Sequence, residues 1–180
     1  MEAIVRAVNE TRPDATVFTG DLADGYVEEL RNDAAPLADL RAPHGKFFIT
    51  GNHEYYWDPA GWLAEAKRLG FTVLLNEHRV LSKGRGRLVM AGVTDISAPD
   101  MVSEHVSDPM KAARGAPPGA VKILLAHQPR SYKAAERAGF DLQLSGHTHG
   151  GQFWPWTWLI HLVQPYVAGL SRFKKMWIYV

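Results

Sequence analysis

The sequence predicts an α/β fold, and two observations predict it. Four short apolar runs each end in a small or polar turn carrying side chains of metal-ligand type, and helical signals fall between them. Near-continuous apolar runs of this length are the mark of buried strands, and strands alternating with helices build α/β sheets. In such sheets functional groups collect beyond the carboxyl ends of the strands. Every cluster of ligand-type residues in this chain falls on that edge.

Taken in order, Ile4, Val5 and Val8 form an apolar stripe at helical spacing before Pro13-Asp14. The first strand run is Ala15-Thr16-Val17-Phe18-Thr19, followed by Gly20-Asp21, and the second is Lys46-Phe47-Phe48-Ile49-Thr50, followed by Gly51-Asn52-His53-Glu54. Asp58-Pro59 opens a helix with Asp at the N-cap and Pro in the first turn. Trp62, Leu63, Ala66 and Leu69 make its stripe, and Gly70 ends it. A set of adjacent strands is expected around 71–75, 79–81 and 88–93, with a hairpin turn at Gly84-Arg85-Gly86. Residues 99–118 are polar and rich in Pro, Gly and Ala, which predicts a long surface loop with a short helix near 108–114. The third run, Val121 to Ala126, precedes His127-Gln128-Pro129; Pro129 opens a helix that Gly139 stops. The fourth, Phe140 to Ser145, precedes Gly146-His147-Thr148-His149-Gly150, and Met176 to Val180 reads as a last strand.

Composition narrows the function classes. With 180 residues, 46% hydrophobic and 22% charged, the chain suits one globular domain with a sizeable core. A formal net charge of +1 supplies no field that would recruit nucleic acid, which is not expected as a partner. The absence of cysteine removes disulfides and thiolate metal sites together. The stretch after Met1 has no signal-peptide pattern, and no window offers the ~18 uninterrupted apolar residues of a membrane span.

Singly, each cluster has an ordinary explanation. His147 and His149 stand two apart and would share one face of an extended strand, as hydrogen-bonded surface pairs also do. His127 could cap a strand end, Asp21 could be a turn residue, and Gly51-Asn52 is a turn dipeptide. Together, Asp21, Asn52, His127, His147 and His149 are the oxygen and imidazole ligands that first-row divalent metals prefer. All five sit where strand ends would bring them close.

In these residues the chain resembles the calcineurin-like metallophosphoesterases. That family's ordered motifs are Asp-x-His, Gly-Asp-x-x-Asp/Asn, Gly-Asn-His-Glu/Asp, His and Gly-His-x-His. This sequence has Gly20-Asp21-Leu22-Ala23-Asp24, Gly51-Asn52-His53-Glu54, His127 and Gly146-His147-Thr148-His149, in that order. It is most similar to the bacterial branch with Gly-Asn-His-Glu-Tyr-Tyr and Gly-His-Thr-His-Gly-Gly-Gln, some members of which are membrane-associated or act on lipid-linked phosphates such as UDP-diacylglucosamine. The resemblance implies one domain over residues 1–180, folded as a sandwich of two mixed β-sheets flanked by helices. It implies two divalent metal ions, Mn, Zn or Fe. Asp21 would bridge them, Asn52, His127 and His147 would complete one site, and His149 would serve the other. His53 would be the general acid facing the leaving group, oriented by Asp24. The implied activity is hydrolysis of a phosphomonoester, phosphodiester or pyrophosphate, possible lipid linkage included, at a bacterial membrane periphery.

The Asp-x-His motif has no counterpart here, so the domain is expected to be incomplete at both ends and the chain as given to be inactive or to hold its second ion weakly. The alternative is a mononuclear or non-catalytic relative acting as an interaction module. Segment 153–170, beginning Phe153-Trp154-Pro155-Trp156-Thr157-Trp158 and ending at Leu170, is unusually aromatic. Two readings stand beside each other: a buried wall of the site, or an interfacial segment touching lipid, with Arg172, Lys174 and Lys175 meeting anionic headgroups. His44, His78, His105 and His161 are expected to be structural or surface residues, and Asp95 to cap a loop or to support a ligand.

Overall fold

A computed structural model describes residues 1–22, 24–152, 160 and 164–180. Two sheets form the centre. The smaller contains β1 (Thr16–Phe18), β2 (Lys46–Phe48) and β3 (Thr72–Val73), in the order β1-β2-β3. The larger contains β4 (Glu77–Lys83), β5 (Gly86–Gly92), β6 (Val121–Leu125), β7 (Leu142–Leu144), β8 (Leu170–Phe173) and β9 (Met176–Tyr179), in the order β4-β5-β6-β7-β9-β8. The described helices are α1 (Glu2–Glu10), α2 (Val27–Ala34), α3 (Asn52–Trp57), α4 (Pro59–Arg68), α5 (Pro109–Ala113) and α6 (Tyr132–Arg137).

Period-two alternation along the strands builds the layers. Phe47, Ile49, Leu74, Met90 and Leu125 interlock between the two sheets. Their sequence neighbours face outward: Phe48 joins Trp62, Ala66 and Leu69 beneath the first helical layer, while Val89, Ala91 and Leu124 join Ala112 and Ala135 beneath the second. The expected two-sheet sandwich flanked by helices is therefore present. One detail differs: both sheets were expected to be mixed, and the smaller is parallel throughout. Its two connections run through α2 and through α3–α4, and a helical crossover returns the chain in the same direction. The larger sheet is mixed because the β4–β5 and β8–β9 pairs are antiparallel. Strand β3, expected beside the next two strands, pairs with β2 in the other sheet.

Local chemistry explains most element ends. Asp58 caps α4 by accepting from Gly61 N at 2.9 Å, with Pro59 in the first turn. Trp62, fully buried, donates its indole N–H to Gly25 O at 2.9 Å and so ties α4 to the loop after β1. Lys46 is buried too, its ammonium donating to the carbonyls of Leu37, Ala38 and Leu69 and so joining two chain segments to β2. Helices α2 and α3 had no counterpart in the sequence reading. Only Val27 and Ala34 of α2 are buried, too few for a visible stripe, and Gly51-Asn52 reads as a turn although Asn52 begins α3.

Most of the aromatic segment 153–170 lies outside the described residues. Of its described members Ile160, Gln164 and Val167 are buried and Leu170 is exposed. No described helix is long and apolar enough to cross a membrane.

Candidate functional site

The site begins with two loops that touch. β1 leads into Thr19-Gly20-Asp21 and β2 into Thr50-Gly51-Asn52, and the two glycines meet backbone to backbone. A Cβ on Gly20 would overlap Gly51 N, and one on Gly51 would overlap the Asp21 carboxylate. Only glycine permits this approach, and Gly20 also has a φ of 86°. Asp21, His147 and His149 adopt positive φ values of 55°, 70° and 51°, a region that side-chain-bearing residues rarely occupy. Such conformations persist where the surroundings over-determine them, and they gather at functional sites.

Glu54 staples the loops. Its Oε2 accepts from Gly51 N at 2.6 Å and Asp21 N at 3.0 Å, and its Oε1 accepts from Leu22 N at 2.6 Å. Burial drives its carboxyl pKa up, and those three donors act in the opposite direction without reversing the shift. Glu54 was quoted in a motif but given no role by sequence. Its spacing of three from Gly51 was the available signal, since that is where a helix's first-turn acid reaches back to the cap.

Beyond the loops, β6 delivers His127 and β7 delivers His147. His127 Nδ1 lies 2.7 Å from Thr19 O, a carbonyl that can only accept, so this nitrogen carries the proton and Nε2 presents its lone pair in the neutral ring. Around Nε2 stand Asp21 Oδ2 at 3.0 Å, Asn52 Oδ1 at 3.1 Å and His147 Nδ1 at 3.1 Å, with His147 Nδ1 2.9 Å from Asn52 Oδ1. Four atoms of metal-ligand type thus converge in one small space. A divalent cation would engage all four at once. The donor set of carboxylate, amide oxygen and two imidazoles fits a first-row divalent metal. Asp21, His127 and His147 offer ligand atoms all within 4.8 Å of one another.

The electrostatics agree with the geometry. Burial is the largest influence on all three titratable members, pushing Asp21 up and both histidines down. At Asp21 the contact with His127 and the His53 backbone N–H prevail, and its carboxyl sits below the usual range. At His127 the same Asp21 contact prevails and raises the imidazole, whereas His147 is lowered by burial and by the His127 charge.

A second corner lies on the other side of Asp21. Its Oδ1 accepts from the His53 backbone N–H at 3.0 Å, and His53 Nδ1 lies 3.1 Å from Asp24 Oδ1. The same Asp24 oxygen accepts from Trp57 Nε1 at 2.7 Å, a partner that sequence reasoning missed. That hydrogen bond is the first cause of a lowered Asp24 pKa, followed by the one to His53. The His53 imidazole is part-exposed, and Tyr26, Tyr56 and Trp57 expose aromatic surface around it.

His149 stands apart. It lines a cleft of about 350 Å³ with Asp21, His127 and His147, but it is exposed, and its Nδ1 is 3.3 Å from Gln152 Nε2. Asp21, Asn52, His127 and His147 are therefore brought together; His53 and Asp24 pair beside them; His149 faces the cleft from outside the cluster. His78 and His105 have structural contacts, with Ala112 O at 2.7 Å and Tyr55 Oη at 2.8 Å.

The chain is similar to known proteins. Residues 1–151 match the family model of the calcineurin-like phosphoesterases. A bovine (Bos taurus) transmembrane protein with metallophosphoesterase domain is 42% identical over 96% of this chain and 41% of its own length. An uncharacterized metallophosphoesterase of Helicobacter pylori strain J99 is 36% identical over 94% of this chain and 45% of its own. The chain thus spans less than half the length of either relative. Among solved structures, a putative 5'-nucleotidase from Staphylococcus aureus superposes with a TM-score of 0.65 over 99% of this chain and 42% of that one, at 14% identity. The sulfate thiohydrolase SoxB of Thermus thermophilus superposes with a TM-score of 0.64 over 99% of this chain and 36% of that one, at 18% identity. At such identities the likeness is one of fold.

Proposed function

The chain belongs to the calcineurin-like phosphoesterase family, and on that premise we propose that it is a metal-dependent hydrolase of phosphate esters or anhydrides. The observation that carries this reading is the convergence of Asp21, Asn52, His127 and His147 on one point, with His53 joined to the other oxygen of Asp21 through its backbone N–H. Divalent ions at such a site supply Lewis acidity and a water of lowered pKa. The four clustered residues would hold the first ion. Asp21 together with His149 would help hold a second ion.

The remaining residues act on the substrate's other end. His53 Nδ1 faces Asp24, so the proton it can offer a leaving oxygen is on Nε2. Asp24, fixed by Trp57, sets the ring's orientation. Glu54 keeps the two loops in register, so that Asp21 and His53 hold a constant separation.

The exposed rings of Tyr26, Tyr56 and Trp57 favour a leaving group with apolar surface, as a lipid-linked phosphate has. The Bos taurus relative is named a transmembrane protein, which accords with action at a membrane periphery. The test is hydrolysis of 4-nitrophenyl phosphate and bis(4-nitrophenyl) phosphate with and without added Mn²⁺. Mn²⁺-dependent turnover that falls about a hundredfold in His53→Ala is expected. Turnover indifferent to both metal and His53 contradicts the proposal.

A further inference from the structure

Directly behind the cluster, the turn after β5 holds a carboxylate whose partners do not account for its charge. Asp95 is 1% exposed. Its Oδ1 accepts from Ser97 N at 2.9 Å, from the Ser97 hydroxyl, and from Gln128 Nε2 at 3.0 Å. Its Oδ2 is buried and has no hydrogen-bond partner among the described residues. One oxygen is crowded and the other is bare.

If Asp95 only capped its loop, the bare oxygen would be a pure cost, because a buried acceptor left without a donor destabilises the fold. A neutral Asn would offer the same Oδ1 without burying a charge. What Asp95 does reach is the frame of the cluster: its backbone N–H donates to Thr50 Oγ1 at 3.4 Å, two residues before Asn52. Gln128 is the residue after His127, so the bond from Gln128 to Asp95 also fixes the turn that presents His127.

We propose that Asp95 is a positioning residue of the metal centre, whose buried charge strengthens cation binding at Asp21, Asn52, His127 and His147 and whose bond to Gln128 aims His127. The inference rests on the reading of that cluster as a metal site. Groups placed behind metal ligands commonly change metal affinity by roughly 10–100-fold. Here the charge should be retained at the expense of the metal-free fold.

The experiment titrates the chain with Mn²⁺ and measures thermal unfolding with and without it, for the parent, Asp95→Asn, Ser97→Ala and Asp21→Asn. Asp95→Asn is expected to bind Mn²⁺ about 10–100-fold more weakly. Its metal-free melting temperature should be unchanged or higher. Ser97→Ala, which removes part of the loop cap and keeps the charge, should melt earlier and bind Mn²⁺ like the parent. Parent-like affinity in Asp95→Asn overturns the proposal, as does failure of that variant to fold without metal, because either result makes Asp95 a loop cap. Equal binding by the parent and Asp21→Asn overturns the metal reading itself, a result distinct from failure at Asp95 alone.

Discussion

His127 and His53 stand on opposite sides of one carboxylate, and the fold treats them in opposite ways. His127 faces Asp21 Oδ2, is almost fully buried, and has three side-chain polar atoms around its Nε2. His53 reaches Asp21 Oδ1 only through its backbone; its ring is part-exposed and leans on an exposed carboxylate. The first environment is closed to water and good for holding a cation, since the atoms around Nε2 are all of metal-ligand type. The second is open to water and has a single orienting partner, as a proton donor needs. The contrast teaches that residue type alone does not assign a role: two histidines 74 positions apart (53 to 127) are separated by solvent access and by what surrounds each nitrogen.

The largest test of that contrast goes to the staple between the two sides. Glu54→Ala leaves three backbone N–H groups of touching loops without their acceptor, which should cost about 3–5 kcal/mol of stability in urea unfolding. A cost near zero would mean that the two corners are held independently. A smaller effect isolates the proton-donor side. Asp24→Asn keeps the contact with Trp57 in shape but weakens the orientation of His53, and turnover should fall roughly tenfold at constant metal content. Loss of metal in this variant would merge the two sides that the account keeps separate.

The smallest effect is a shift in pH. Trp57 holds the Asp24 carboxyl below its ordinary range, so Asp24 stays ionised to a lower pH than a free aspartate. In Trp57→Phe that pKa rises toward the ordinary value. Activity that needs ionised Asp24 is then lost earlier as the pH falls, and the acid limb of the rate profile moves upward. An unmoved acid limb would take Asp24 out of the reaction.

How far the sequence reveals this arrangement depends on the kind of information each residue carries. Asp21, Asn52, His127 and His147 could be read because each follows an apolar run directly, and parallel strands bring such ends together. Asp58 and Pro59 announce α4 by type and order. Glu54 and Trp57 were not assigned roles, because all their partners but Gly51 lie 30 or more positions away and the turn-like Gly51-Asn52 conceals the helix that carries them. The all-parallel character of the smaller sheet was equally hidden, since α2 buries too little to be seen as a crossover helix. Asp95 shows the boundary well: its position after a strand was visible, but its bare oxygen is a property of packing alone.

The most direct test of the central claim is metal content after dialysis, measured for the parent chain, His127→Ala and His53→Ala. The account predicts one retained divalent ion per chain in the parent and in His53→Ala, and none in His127→Ala. Retention by His127→Ala, or loss by His53→Ala, would contradict the division of labour across Asp21 on which the rest depends.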